Sequence, residues 1–264
     1  MELGLAGKTV IVTGGGSNIG RAISLGFARE KSHVVIAEID EAQAQKVAKE
    51  GIALGSKAIA IKTDITNTDS VEAMVKNTIK EFGQIDILIN NVGWVPTKPF
   101  VDNTHEEMAK QLQLNYVGMV NCTRAVLDTM LEKRYGRIVS IASDAGRIGE
   151  ANQAFYSGTK GAVIAFSKAL AREVGRFNIT LNCVAPGTTL PDNLEEAGKD
   201  SMWSGVTKET AVPPEVMQKI VKNYPLRRIG KPEDMVGAVL FISSDAASFI
   251  TGQTLSVSGG YSMA

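Results

Sequence analysis

The chain has 264 residues, of which 44% are hydrophobic, 21% charged and 6% aromatic, which fits a globular protein with a sizeable core and excludes disorder, collagen and coiled coil. Its 28 basic and 28 acidic residues cancel, so no global positive field draws in a phosphate polymer and nucleic acid is not an expected partner. The apolar runs fall far short of the roughly 20 residues that cross a bilayer, and the opening MELGLAGKTVIVTGG has no secretory pattern; the expectation is a cytoplasmic protein with no membrane partner.

The first apolar run, Lys8–Thr13, leads directly into Gly14, Gly15, Gly16, Ser17, Asn18, Ile19 and Gly20, and a helical pattern follows over Arg21–Glu30. Small residues at such a turn leave the helix-start N–H groups open to a pyrophosphate, although a glycine-rich turn alone is equally a plain tight turn. The second run, His33–Glu38, ends on an acid. A carboxylate there accepts from both ribose hydroxyls of an adenosine and repels a 2′-phosphate. Neither Ser17 nor Ile39 supplies a basic side chain to hold that phosphate, so the pattern favours NAD over NADP.

Further runs lie at Lys57–Lys62, Ile85–Asn90, Arg137–Ala142, Ile179–Val184 and Thr254–Val257. All are nearly continuous in hydrophobicity rather than alternating, as strands covered on both faces require. Seven such strands separated by helical segments predict an α/β fold of one domain over residues 1–264, a doubly wound seven-stranded parallel sheet with helices on both faces. Residues 102–133 and 155–176 read as long helices with apolar residues on more than one side, which points to subunit contact. Residues 188–225 mix prolines, charges and the large Met202 and Trp203; the stretch is too long for a connector and reads as a lid. Cys122 and Cys183 lack metal or redox spacing and read as buried thiols, while His33 and His105 are too isolated for zinc. No metal is expected.

Tyr156 and Lys160 stand four apart at the start of a helical segment and so share a face, thirteen residues after Ser143 at a strand end. A tyrosine used as acid and base near neutrality needs its pKa brought down from about 10. A fixed ammonium and a positive nicotinamide ring supply that pull, and a serine hydroxyl can donate to the substrate oxygen.

Together these features resemble the short-chain dehydrogenase/reductase family over essentially the whole chain. Its TGxxxGxG pattern is present with Asn18 in place of the middle glycine. Asparagine tolerates left-handed backbone best after glycine. The family's NNAG appears as Asn90, Asn91, Val92 and Gly93. The resemblance implies a Rossmann fold in which Gly14, Ser17, Asn18, Ile19, Gly20 and Glu38 hold NAD from pyrophosphate to ribose, with Asp64 and Ile65 at the adenine. Asn91 and Gly93 would line its middle, Tyr156 and Lys160 its nicotinamide ribose, and Pro186, Gly187 and Thr189 its carboxamide. Asn115, Ser143, Tyr156 and Lys160 are the implied catalytic set, with Asn115 completing a proton relay. Substrate would meet Ser143, Trp94, Gln153 and Tyr156. The implied activity interconverts a secondary alcohol and a ketone in a small molecule, within a homotetramer built through the two long helices. NNVGWVPTKPF, SIASDAGRIG and FITGQTLSVSGG are similar to members acting on cyclic β-hydroxyacyl-CoA thioesters. A 3-oxoacyl thioester reductase, a cyclic diol, sugar or aromatic alcohol dehydrogenase, and a catalytically silent NAD-binding subunit stay open beside it.

Overall fold

The computed structural model describes residues 2–191 and 213–264. All seven expected strands form: β1 (Thr9–Thr13), β2 (His33–Glu38), β3 (Lys57–Lys62), β4 (Ile87–Asn90), β5 (Gly136–Ile141), β6 (Ile179–Pro186) and β7 (Thr254–Val257). They make one parallel sheet in the order β3-β2-β1-β4-β5-β6-β7. The order reverses between β1 and β4, where crossovers leave for opposite edges and a crevice opens at the carboxyl ends of the strands.

Continuous apolar strands are explained by what covers each face. Val10 and Val12 of β1 pack into one core with Ile23 and Phe27 of α1 (Asn18–Arg29). Val47 of α2 (Glu41–Ala53) joins the same core. Ile11 points to the other core, with Met74 of α3 (Thr68–Phe82). This is the single-domain Rossmann-like architecture the hydrophobic pattern predicts.

Two expectations change in detail. The segment 102–133 is not one regular helix: α4 (His105–Leu112) passes through a π turn at Gln113–Val117 into α5 (Gly118–Lys133). α4 is capped by Thr104, whose side chain exchanges hydrogen bonds with Glu107 in a capping box. A short α6 (Ala145–Ile148) then precedes α7 (Ala154–Val174), the second long helix. Of the lid expected at 188–225, Met202 and Trp203 lie outside the described residues. Its described part returns through α8 (Pro214–Lys222), ahead of α9 (Pro232–Ile242). Val239 of α9 completes the α1 core. Cys122 and Cys183 are buried free thiols. No described helix is long and apolar enough to cross a membrane.

Candidate active site

The glycine turn after β1 works through backbone. Gly14 has φ +60° and Asn18 φ +48°, so the asparagine takes the left-handed conformation expected where it replaces glycine. A Cβ on Gly20 would lie 2.0 Å from the Gly14 carbonyl oxygen; Gly20 is therefore required behind the turn. α1 starts at Asn18 with no side-chain cap and no acid in its first turn. By contrast, Asp40, Asn67 and Thr104 cap α2, α3 and α4. The open start of α1 suits an anion.

Glu38 closes over the turn from the end of β2. Its Oε2 accepts from Gly16 N–H at 3.1 Å and its Oε1 from Ile39 N–H at 2.9 Å. Burial raises its pKa, against the lowering effect of these backbone donors. A side chain at Gly16 would press on the Glu38 carboxylate at 3.0 Å. Asn91 is a strut: its Nδ2 donates to the carbonyls of Thr13 and Gly14, both at 3.1 Å. Asp64 accepts from the Thr66 N–H and hydroxyl at 2.9 and 2.7 Å.

At the far end, Ser143 follows β5, and its side chain faces the Tyr156 phenol of α7. Burial pushes the Tyr156 phenol up to about 12, and the neighbouring Ser143 side chain only partly offsets this. Lys160 is 3% exposed, and burial brings it down to about 8. Its Nζ donates to the Ile141 carbonyl at 2.7 Å and lies 5.8 Å from the Tyr156 ring centre. The helical spacing thus brings the two residues together, while the ammonium engages the end of β5. In the protein alone the phenol is raised, not lowered as its intended chemistry asks.

Asn115 sits in the π turn, 1% exposed. Its Oδ1 accepts from Trp94 N–H at 2.7 Å, while its Nδ2 donates to the Trp94 carbonyl at 2.9 Å and to the Thr159 hydroxyl at 3.3 Å. Asn115 clamps the Trp94 backbone, and the Lys110 ammonium covers the Trp94 ring at 4.4 Å. A Cβ on Gly93 would stand 3.3 Å from both Asn115 Oδ1 and Lys160 Nζ.

One cavity of about 860 Å³ runs between these ends. Every site residue expected from the sequence lines it except Gly20, which supports the turn from behind, and Asn115, which lies behind Trp94. The open helix start, the Glu38 acceptor and the bare Gly93 backbone fit an extended dinucleotide, and Asn18 Oδ1 is buried with no hydrogen-bond partner among the described residues. Sequence reasoning did not name Gly16, Lys110, Glu150, Tyr224 and Tyr261 as individual site residues, although Gly16 falls in the turn read as open to a pyrophosphate and Tyr224 in the stretch read as a lid. Lys110, Glu150, Tyr224 and Tyr261 line the same cavity. Only Gly16 had a local signal, as the third glycine of the run.

The family profile described as enoyl-(acyl carrier protein) reductase matches residues 14–262. The chain belongs to the short-chain dehydrogenase/reductase family. As a member it is an oxidoreductase acting between secondary alcohols and ketones. It is 35% identical, over 99% of both chains, to (2S)-[(R)-hydroxy(phenyl)methyl]succinyl-CoA dehydrogenase subunit BbsD of Thauera aromatica. It is 34% identical, over 98% of both, to a 3-oxoacyl-[acyl-carrier-protein] reductase of Synechocystis sp.. A solved 7α-hydroxysteroid dehydrogenase, complexed with NADH and 7-oxo glycochenodeoxycholic acid, superposes with a TM-score of 0.88 at 33% identity, covering 98% of this chain and 96% of that one.

Proposed function

We propose that this short-chain dehydrogenase/reductase is an NAD-dependent enzyme that oxidises a secondary alcohol to a ketone and runs in reverse. The observation that carries the reading is the placement of Ser143, Tyr156 and Lys160 on one cavity whose other end presents Glu38 and the uncapped start of α1. Glu38 selects NAD by accepting from the adenosine ribose hydroxyls and excluding a 2′-phosphate. Gly14, Ser17, Asn18 and Ile19 take the pyrophosphate, Asp64 and Ile65 the adenine, Asn91 and Gly93 the middle, and Pro186, Gly187 and Thr189 the carboxamide. When bound, NAD supplies the two-electron acceptor and a positive ring charge.

In oxidation, Tyr156 Oη takes the proton of the alcohol hydroxyl while the Ser143 hydroxyl donates to the oxygen that becomes the carbonyl. Lys160 holds positive charge near the phenol, and Asn115 fixes the Trp94 loop beside it. Because burial raises Tyr156, phenolate formation depends on that added positive charge. The balance is alcohol plus NAD⁺ giving ketone, NADH and one proton.

For the substrate we favour a cyclic β-hydroxyacyl-CoA thioester, a small molecule of the class used by 2-hydroxycyclohexanecarboxyl-CoA dehydrogenase. The three segments quoted above and the name of the Thauera aromatica relative support this choice, with Trp94 and Gln153 as walls. A single domain with a lid at 188–225, a homotetramer contacting through α5 and α7, and a cytoplasmic location complete the reading. The test is a panel followed by NADH absorbance, with cyclic β-hydroxyacyl-CoA, simple secondary alcohols and diols, and with 3-oxoacyl thioesters plus NADPH in reverse. Turnover of the cyclic thioester with NAD supports the reading; a preference for NADPH overturns the role of Glu38.

A further inference from the structure

The backbone that leaves β6 is held by a residue far along the chain. Tyr224 follows α8, is 1% exposed and lines the cavity. Its hydroxyl accepts from Thr188 N–H at 2.8 Å. The Thr188 carbonyl accepts from Gly230 N–H at 2.9 Å, so both backbone polar groups of Thr188 are engaged. Gly187 lies directly against the phenol: a Cβ there would stand 3.0 Å from the Tyr224 hydroxyl.

Tyr224 is itself fixed from behind. Its ring stacks on Tyr261 with centres 4.9 Å apart and planes 19° apart. The Tyr261 hydroxyl donates to Glu150 Oε2 at 2.5 Å. Glu150 belongs to the segment between Ser143 and Tyr156. The Tyr224 hydroxyl therefore has a set position, and it connects the exit of β6 to the segment that carries the reacting side chains.

We infer that Tyr224 is a positioning residue for the nicotinamide end of the cofactor: by taking the Thr188 N–H, it fixes the Gly187–Thr189 backbone against which the carboxamide docks. This rests on the assignment of that backbone to the carboxamide. Phenylalanine at 224 keeps the packing and the stack but leaves the Thr188 donor without its acceptor, a loss that a local hydrogen bond makes selective rather than global.

The experiment compares binding of NADH with binding of ADP-ribose, which lacks the nicotinamide, to the full-length wild type and Tyr224→Phe by calorimetric titration. The expected result is NADH weakened about tenfold, with ADP-ribose changed less than about twofold. Equal weakening of both ligands, or no change in either, overturns the inference. Gly187→Ala approaches the same contact from the other side should Tyr224→Phe fold poorly. Its methyl displaces the hydroxyl, so the same selective loss of NADH is expected and its absence counts against the inference. If the wild type takes NADPH instead of NADH, the Glu38 assignment fails on its own. The comparison then uses NADPH against 2′-phospho-ADP-ribose, with the same two deciding outcomes. A wild type that binds neither dinucleotide overturns both readings.

Discussion

At one end of the cavity, Glu38 closes β2 and Asp64 stands just beyond the neighbouring parallel β3, and the glycine turn meets them with bare backbone. At the other, Trp94, Glu150, Tyr224 and Tyr261 come from four separate stretches of chain and are tied by side chains of other stretches: Trp94 by Asn115 and Lys110, Tyr261 by Glu150, Tyr224 by Tyr261. The first end inherits its geometry from the sheet, and its groups change little unless the sheet changes. The second is fixed by side-chain contacts between loops, and individual side chains there can be replaced without disturbing a strand. The adenosine half of a ligand common to many enzymes suits the former construction, and the place where its reactive end meets a substrate that differs from enzyme to enzyme suits the latter.

The sharpest test of this division is Tyr156→Phe. It should lower kcat on the order of a thousandfold while NADH affinity, measured by fluorescence titration, changes less than about twofold. Comparable losses in both would mean that the two ends are not separable. Glu38→Ser should do the reverse, reducing kcat/KM for NAD by about ten- to a hundredfold and leaving the pH dependence of the chemical step in place. The selective weakening of NADH binding given above for Tyr224→Phe comes next in size.

Lys160→Met probes stability rather than turnover. The folded chain holds Lys160 at about 8 against an ordinary 10.5. Between those values the unfolded chain binds more protons, so this group makes stability rise with pH across that window, and its burial penalty is fully present below it. The methionine variant should therefore melt higher than wild type at pH 7, on the order of 5 °C. That advantage should shrink as pH rises from about 8 to 10.5; a constant difference would show that proton binding is not its source. The smallest expected effect is at Asn18, whose φ is +48°. Asn18→Ala should cost about 1 kcal/mol, or 2–4 °C in melting temperature, and Asn18→Gly almost nothing.

The sheet was legible because strands buried on both faces must be continuously apolar, and Val10, Ile11 and Val12 show why: they alternate between two cores, each of which needs an apolar residue. Tyr156 and Lys160 were legible as a pair because residues four apart share a helical face. Their electrostatics were not, since burial of both groups and the Ile141 carbonyl decide where the ammonium goes. Glu150, Tyr224 and Tyr261 left no local pattern at all; hydrogen bonds and ring stacking between distant segments bring them together. Nor could periodicity over 102–133 reveal the irregular turn at Gln113–Val117, because apolar residues on several sides blur a one-residue slip.

That turn has a geometric consequence for the rod it interrupts. One residue advances an α-helix by about 100° about its axis, so the extra residue accommodated in a π turn resets the phase of everything beyond it. Removing a residue there would leave two choices. If α4 stays seated, Cys122, Val126 and Met130 of α5 rotate away from the core they fill; if α5 stays seated, Lys110 swings off the Trp94 ring. The two halves of the rod can satisfy the sheet and the Trp94 loop at once only because they are out of step by a single residue.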